Sequence, residues 1–289
     1  MGNGDGFVDR KVPTYTRTIE KPDHLTCSER TAKARIMNII GSLKSDPALS
    51  NLKRSLEVYY GDPARDAAMD RLYASFLQPG DLAFDIGSHV GDRIGAFRRR
   101  GARVVALEPQ PDCAHVVREI YRDDDRVTLV ESACGPKPGR LTLHINSANP
   151  TVTTASTDFV KAADGAGGWE GQKWDRAIEV PVTTLDALIA TYGRPAFVKI
   201  DVEGFEGDVL AGLSQPLPML SFEFTTIQRD VAFACIGRLG HIGRYQFEVA
   251  LGESQKLEIG RWISGDQMAQ FIEQLPHEAN SGDVYAKLV

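Results

Sequence analysis

Paired cysteines are missing from this 289-residue chain. Its four cysteines, Cys27, Cys113, Cys134 and Cys235, stand far apart with no C-x-x-C pair. That excludes a disulfide framework and a thiolate zinc site, and it is the usage of reduced thiols in an intracellular protein. Long apolar runs are missing as well. None approaches the ~20 residues needed to cross a bilayer, and no apolar segment follows a basic start at the N-terminus. Neither a membrane span nor a signal peptide is expected, and the expected location is cytoplasmic. Positive charge is short too. The net charge is −6, whereas a nucleic-acid partner needs a basic face to neutralise phosphates. The cluster Arg98, Arg99, Arg100 falls at a predicted helix C-terminus, where cations complement the helix dipole. What remains, 42% hydrophobic and 25% charged, suits one large domain with an appendage.

A further absence narrows the ligand. The run GDLAFDIGSHVG, Gly80 to Gly91, leads an apolar strand (Leu82, Ala83, Phe84) through Asp85 into a turn with Gly87 and Gly91 and then a helix. Open α/β sheets make room for a nucleotide-like ligand in this way. Ser88 to Val90 supply no middle glycine, so the G-x-G-x-x-G dinucleotide fingerprint is lacking. Asp85 carries the discrimination, because a carboxylate in this turn repels a pyrophosphate and attracts a cationic amino acid. Aspartate-x-glycine here points to S-adenosylmethionine rather than NAD. The run VVALEP, Val104 to Pro109, reads as the next parallel strand. It ends in Glu108, placed to accept hydrogen bonds from both ribose hydroxyls; the plainer reading is a turn before Pro109. Between the two landmarks, DRIGAFRRRG is a short helix with Ile94 and Phe97 on one face and Gly101 as its stop.

The chain divides into a polar, aperiodic tail over 1–24, a helical extension over 25–78 and an α/β domain over 79–289. In the extension, Ser28 reads as an N-cap before the stripe Ile36, Ile39, Ile40, Leu43. A second helix passes through Leu49, Leu52, Leu56 and Tyr59, and a third covers Ala64 to Leu77. Packing on the α/β domain is the simplest use of these helices; covering the site or pairing with a second copy is the sharper one. Beyond Gly80, strands are predicted at 82–86, 103–108, 127–131, 196–201, 218–224, 244–251 and 283–288. Helices fall near 92–100, 112–122, 183–191, 205–213, 229–240 and 265–275, with Thr183 and Asp186 offering a capping box. Alternation of this kind implies a doubly wound, mainly parallel sheet. YQFEVAL, KLEIG and DVYAKLV are strand-rich and suit an antiparallel strand closing it. About 65 residues separate the third strand from residue 196, far more than a normal connection. They hold RLTLHIN, AIEVPV and a polar loop over 146–176. Trp169 and Trp174 in that loop either cover a substrate ring as a lid or anchor the insertion to the core.

FVKIDVEGFEGDVLAGL is the second strong signal. Lys199 and Asp201 are two apart on one face of an apolar strand. A lysine buried there needs an acidic partner, Asp201 or Glu223. Glu206, in the first turn of the following helix, is favoured by the dipole and needs no functional role.

The run VPVTTLDALIATYGRPAFVKIDVEGFEGDVLAGL, the PMLSFEF after it, and the earlier DIGSHVG and VVALEP resemble the FkbM-type methyltransferases. The resemblance covers residues 60 to 225 well, and its K-I-D-V-E-G-x-E portion is specific. His89 departs from it, since many relatives carry a small residue or asparagine there, and the N-terminal helices have no match. The resemblance implies a class I methyltransferase (Rossmann-like) fold and transfer of a methyl group from S-adenosylmethionine to a hydroxyl of a sugar, polyketide or related metabolite. Carried over, Asp85, Gly87, Ser88 and Gly91 hold the methionine end, Glu108 the ribose, and Ser132 and Ala133 the adenine, with Asp201 near the methionine moiety and the acceptor. The acceptor proton needs a base, for which Asp201 and His89 are candidates, with Glu203 behind them. Asp201, Glu203 and Glu223 could also converge on Mg²⁺, which prefers carboxylates, though their spacing does not require it. Two other classes stand beside this reading: an NAD(P)-dependent oxidoreductase, and a non-catalytic binding module on the same fold.

Overall fold

Buried apolar runs build the sheet from its centre outward. In the computed structural model, which describes residues 27–289, seven strands lie in the order β3-β2-β1-β7-β8-β10-β9. The strands β1 (Leu82–Ile86), β2 (Arg103–Leu107), β3 (Val127–Val130), β7 (Phe197–Ile200) and β8 (Met219–Thr225) are parallel. β10 (Ser281–Leu288) runs antiparallel between β8 and β9 (Tyr245–Leu251). This is the doubly wound, mainly parallel sheet expected from the sequence. The expected tail over 1–24 lies outside the described residues.

Alternation along the strands sorts side chains into two layers. Phe84, Ile86, Val198, Ile200, Leu220 and Phe222 face one layer. It is covered by α7 (Leu185–Tyr192), α8 (Glu206–Ala211), α9 (Arg229–Ile242) and α10 (Gly265–Gln274). Ala83, Phe197, Met219 and Tyr285 face the other. There they meet α1 (Cys27–Ser45), α2 (Lys53–Tyr60), α3 (Pro63–Tyr73), α4 (Asp92–Arg99) and α5 (Pro111–Tyr121). The second face changes character toward the carboxyl ends of the strands, where alternation places Asp85, Lys199, Asp201, Glu223 and Asp283 on it. The switch point between β1 and β7, where the chain winds off in opposite directions, opens a crevice at these acids.

The N-terminal helices complete the second layer. Leu49, Leu52, Leu56, Met69, Leu72 and Tyr73 are buried in one core with Phe97, Val104 and Phe197. The Asp46 and Asp62 carboxylates cap a 3₁₀ turn (Pro47–Leu52) and α3, accepting the Ala48 and Ala64 N–H at 2.8 Å. Ser28, expected before the first helix, falls inside α1, and α3 ends at Tyr73 rather than Leu77.

Two expectations about the later elements need correcting. Thr184, not Thr183, caps α7, accepting the Ala187 N–H at 3.1 Å. Thr183 is still paired in a strand, and Asp186 instead accepts the Ser214 N–H. KLEIG is irregular: positive φ at Gln255 and Gly260 breaks extended pairing, although the Gly260 N–H is held by Glu248 at 2.7 Å. The long insertion folds into a small sheet of its own, β4 (Ala133–Cys134), β6 (Arg176–Thr183) and β5 (Gly139–Ile145) in that order, with α6 (Thr157–Ala163) beside it.

Candidate active site

The loop after β1 is shaped by how closely it meets the end of β7. Gly87 has φ +83°, and a Cβ on it would lie 1.8 Å from the Asp201 carbonyl oxygen, so no other residue fits. The Gly87 and Ser88 N–H groups both donate to the Leu107 carbonyl at 3.0 Å, tying the loop to β2. His89 follows at φ +47°, a conformation uncommon outside glycine, and its N–H donates to Glu108 Oε2 at 2.8 Å. The Gln110 N–H donates to Glu108 Oε1 at the same distance. Each Glu108 oxygen therefore takes one backbone proton and keeps a lone pair for a diol. Tyr121 and Tyr60 hydroxyls donate to the Gly91 and Val90 carbonyls at 2.7 Å and fix the far side of the loop.

Two clefts open on this loop. The first runs from Gly87 past Glu108 and Gln110 to Ser132, Ala133 and Leu143, with Pro150 and Thr153 above. Ser132 Oγ lies 2.9 Å from both the Ala133 and Pro181 carbonyls and its single proton is taken up between them, so this side chain supplies wall rather than a free donor. The second cleft is lined by Asp85, Ser88, Arg93, Lys199, Glu223, Tyr59 and Glu253. Five residues line both: Gly87, His89, Thr151, Asp201 and Glu203. A group bound in one cleft meets a group bound in the other at these residues. The sequence singled out four of the five; Thr151, on the insertion, it missed.

The carboxylates at the junction differ in charge state. Lys199, 1% exposed, donates to Asp201 Oδ2 at 3.0 Å and to Asp283 Oδ1 at 2.7 Å. Burial pushes the Asp201 carboxyl up, but the Lys199 ammonium and a hydrogen bond from Glu223 outweigh it and hold the group below its ordinary value. Asp201 is therefore ionised. Burial, then the Asp201 charge, push Glu203 and Glu223 well above the usual carboxylate range. Burial likewise raises Asp85 to about 7, with Asp92 adding to it, and one of its oxygens has no partner. Glu108 rises by burial to about 8 against the two backbone donors. Burial lowers His89 to about 4, so its ring is neutral. Its Nδ1 lies 3.5 Å from Cys113 Sγ and its Nε2 has no partner. Oxygens of Asp201, Glu203 and Glu223 come within 4.8 Å of one another, the spacing of a divalent-cation ligand set, and the Lys199 ammonium already serves the first of them.

Glu206 does more than answer a helix dipole. Its buried carboxylate reaches back to the Val202 and Gly204 N–H groups at 3.0 and 3.4 Å, holding the turn in which Glu203 and Gly204 adopt φ +54° and +86°. The insertion clamps the same turn: Thr154 Oγ1 donates to the Glu203 carbonyl at 2.6 Å, and Phe159 packs where a Gly204 Cβ would be. Phe159 meets Trp169 and Trp174 edge-on at 5.2 and 6.1 Å, and Trp174 Nε1 donates to the Val152 carbonyl. The tryptophans are therefore the insertion's core, and its anchor reading replaces the lid. The cations and acids around the second cleft also escaped the sequence reading: Arg65 and Arg93 share Asp92 and Glu253, with contacts of 2.7 to 3.1 Å. Arg98 and Arg99 pair with Asp124 and Asp70.

Similarity to known proteins gives the family. The family model described as Methyltransferase FkbM domain matches residues 85–274. The chain is similar to the 2-O-methyltransferase NoeI of Sinorhizobium fredii (strain NBRC 101917 / NGR234), 26% identical over 170 residues, 56% of this chain and 70% of that protein. It is also similar to the solved O-methyltransferase from Bacillus cereus in complex with SAH (14% identity, 90% of this chain and 99% of that one, TM-score 0.40). A third likeness is to precorrin-6y C5,15-methyltransferase from Geobacter metallireducens GS-15 (15%, 78% and 87%, TM-score 0.40). The family match spans more than half of the chain and contains all five residues shared by the clefts, so the chain belongs to the FkbM family of S-adenosylmethionine-dependent methyltransferases.

Proposed function

We propose that the enzyme is an O-methyltransferase whose acceptor is a hydroxyl of a sugar, polyketide or related small metabolite. The meeting of two clefts at an ionised Asp201 carries this reading. S-adenosylmethionine supplies a methyl group on a positively charged sulfur. Glu108 in the first cleft offers two oxygens, each with a lone pair left, to the ribose hydroxyls, and Asp85, which lines the second cleft two residues before the shared Gly87, offers an unpartnered oxygen to a cation at the junction. Ser132 and Ala133 wall the adenine end. The acceptor enters through the second cleft, so its hydroxyl arrives at Asp201 and His89. Asp201 takes the hydroxyl proton; Lys199 keeps it ionised and fixes one of its oxygens. Neutral His89, with Nε2 unpartnered, is a second acceptor of that proton, while protonated Glu203 donates a hydrogen bond. Holding oxygen, methyl and sulfur in line supplies much of the rate. The name of the Sinorhizobium relative supports the oxygen as acceptor atom.

The test is transfer of tritiated methyl from S-adenosylmethionine to a panel of methyl glycosides. The expected product is an ether whose label resists alkali. Label released by mild alkali, as from a carboxyl ester, contradicts the reading.

A further inference from the structure

The second cleft has a wall that the matched family segment does not supply. Tyr59 sits on α2, before the segment begins at Asp85, yet it lines that cleft together with Asp201, Glu203 and Glu223. Its place is built. The ring meets His89 edge-on at 5.8 Å and 78°. The Arg65 guanidinium lies over the ring, 4.8 Å from its centroid, and is itself held by Asp92 at 2.7 Å and Glu253 at 2.8 Å. The next residue, Tyr60, bonds the cofactor loop through the Val90 carbonyl. α2 is thus fastened to that loop directly beneath Tyr59. The Tyr59 hydroxyl bonds to no other described residue, although the acids around it are acceptors. Burial, with Glu253, Asp92 and Asp201, keeps the phenol protonated at any working pH.

We propose that Tyr59 is the acceptor-specificity residue of this enzyme: its ring packs against the apolar face of the acceptor, and its O–H donates a hydrogen bond to an acceptor oxygen near the one that is methylated. An aromatic ring with a polar tip matches a hydroxylated ring compound, which offers an apolar face and oxygens together. The inference rests on the O-methyl reading above. It assigns to the N-terminal helices a part in choosing the acceptor, while the family segment holds the cofactor.

The experiment compares the wild-type protein with Tyr59→Phe and Tyr59→Ala. S-adenosylhomocysteine is titrated by calorimetry into all three. Methyl transfer is then assayed against the methyl glycoside panel, with a second panel of phenols and amines. Tyr59→Phe keeps the ring and loses the donor; it should raise the acceptor KM about three- to tenfold with kcat little changed. Tyr59→Ala should raise it further and blur the preference among acceptors. Both should bind S-adenosylhomocysteine within about twofold of wild type, a split that a purely structural role would not give. Acceptor kinetics unchanged in Tyr59→Phe, with S-adenosylhomocysteine binding intact, overturns the hydrogen bond; unchanged preference in a folded Tyr59→Ala overturns the whole assignment. If Tyr59→Ala does not fold, the Phe variant decides. Turnover of phenols but no glycoside sinks the sugar reading, and the Tyr59 comparison is then made on the phenol turned over; turnover of amines alone overturns the O-methyl reading and the inference with it. Turnover of nothing by wild type that binds S-adenosylhomocysteine overturns both.

Discussion

Asp85 and Asp201 stand on the same sheet face and both have Lys199 beside them, yet they do different work. Lys199 bonds Asp201 directly and leaves Asp85, its register neighbour on β1, to burial. Asp201→Asn should lower kcat by about 10²–10⁴-fold, the usual worth of a general base, with S-adenosylhomocysteine affinity changed little. Single-turnover assays beside calorimetry separate the two effects. For Asp85 and Glu108 the sign runs the other way. Without cofactor they ionise at about 7 and about 8, and the cationic cofactor favours their ionised forms. Binding therefore releases protons, and the KM for S-adenosylmethionine should fall as pH rises from 6 to 8.5. At saturating cofactor kcat should stay flat over that range, because Asp201 is already ionised. A KM independent of pH counts against Asp85 and Glu108 as cofactor ligands. The sequence made the Lys199–Asp201 pair legible by a spacing of two, but not Asp283, the lysine's shorter contact, which comes from a strand 84 residues away. No local spacing encodes that neighbour.

At the scale of elements, two devices hold the turn after β7: the Glu206 carboxylate and the insertion's clamp. Gly204→Ala places a Cβ 2.5 Å from Gln228 Oε1 and 2.8 Å from Phe159, at φ +86°. It should cost about 1–3 kcal/mol in stability and displace Glu203, so thermal unfolding and kcat should fall together. Trp169→Ala empties the centre of the insertion's core; a loss of about 3–5 kcal/mol is typical of such a truncation. As a wall residue's support, it should weaken cofactor binding without abolishing it, whereas an unchanged affinity would mean that this core does not position the first cleft's wall. The seven main strands were legible as short runs rich in apolar residues, and five of them, β1, β2, β3, β7 and β9, are followed directly by glycine or an acid. Of the small sheet, RLTLHIN and AIEVPV were legible as apolar alternation, but β4, two residues long, and α6, seven residues in a polar stretch, were not, nor was the pairing that makes a separate sheet of them. Tyr59 was read only as one position of an apolar helical stripe, because periodicity shows which residues share a face but not which of them ends beside an open cleft.

For the whole molecule, the N-terminal helices share one core with the sheet, and Leu56 and Met69 are completely buried in it. Leu56→Ala should cost about 2–5 kcal/mol, measured by denaturant unfolding; a much smaller loss would show that the helices sit loosely on the sheet. Titration also acts globally. Asp85, Glu108 and Glu206 have folded values raised by burial to about 7 or 8, against about 4 in the unfolded chain. A group raised in this way stabilises fully below its unfolded value and loses that contribution as pH rises through the folded one. The melting temperature of the cofactor-free protein should therefore fall between pH 6 and pH 9, and saturating S-adenosylmethionine should reduce the fall, since it favours the ionised forms. The claim on which all of this depends is that S-adenosylmethionine is held by Glu108 in the first cleft and by Asp85 where the second cleft adjoins it. Calorimetric titration of the purified protein and of Asp85→Asn with S-adenosylmethionine, at pH 6.5 and 8.5, tests it most directly. The expected result is saturable one-to-one binding that is tighter at pH 8.5 and at least about tenfold weaker in the variant. Absence of binding at both pH values, or equal affinity in the two proteins, would contradict it.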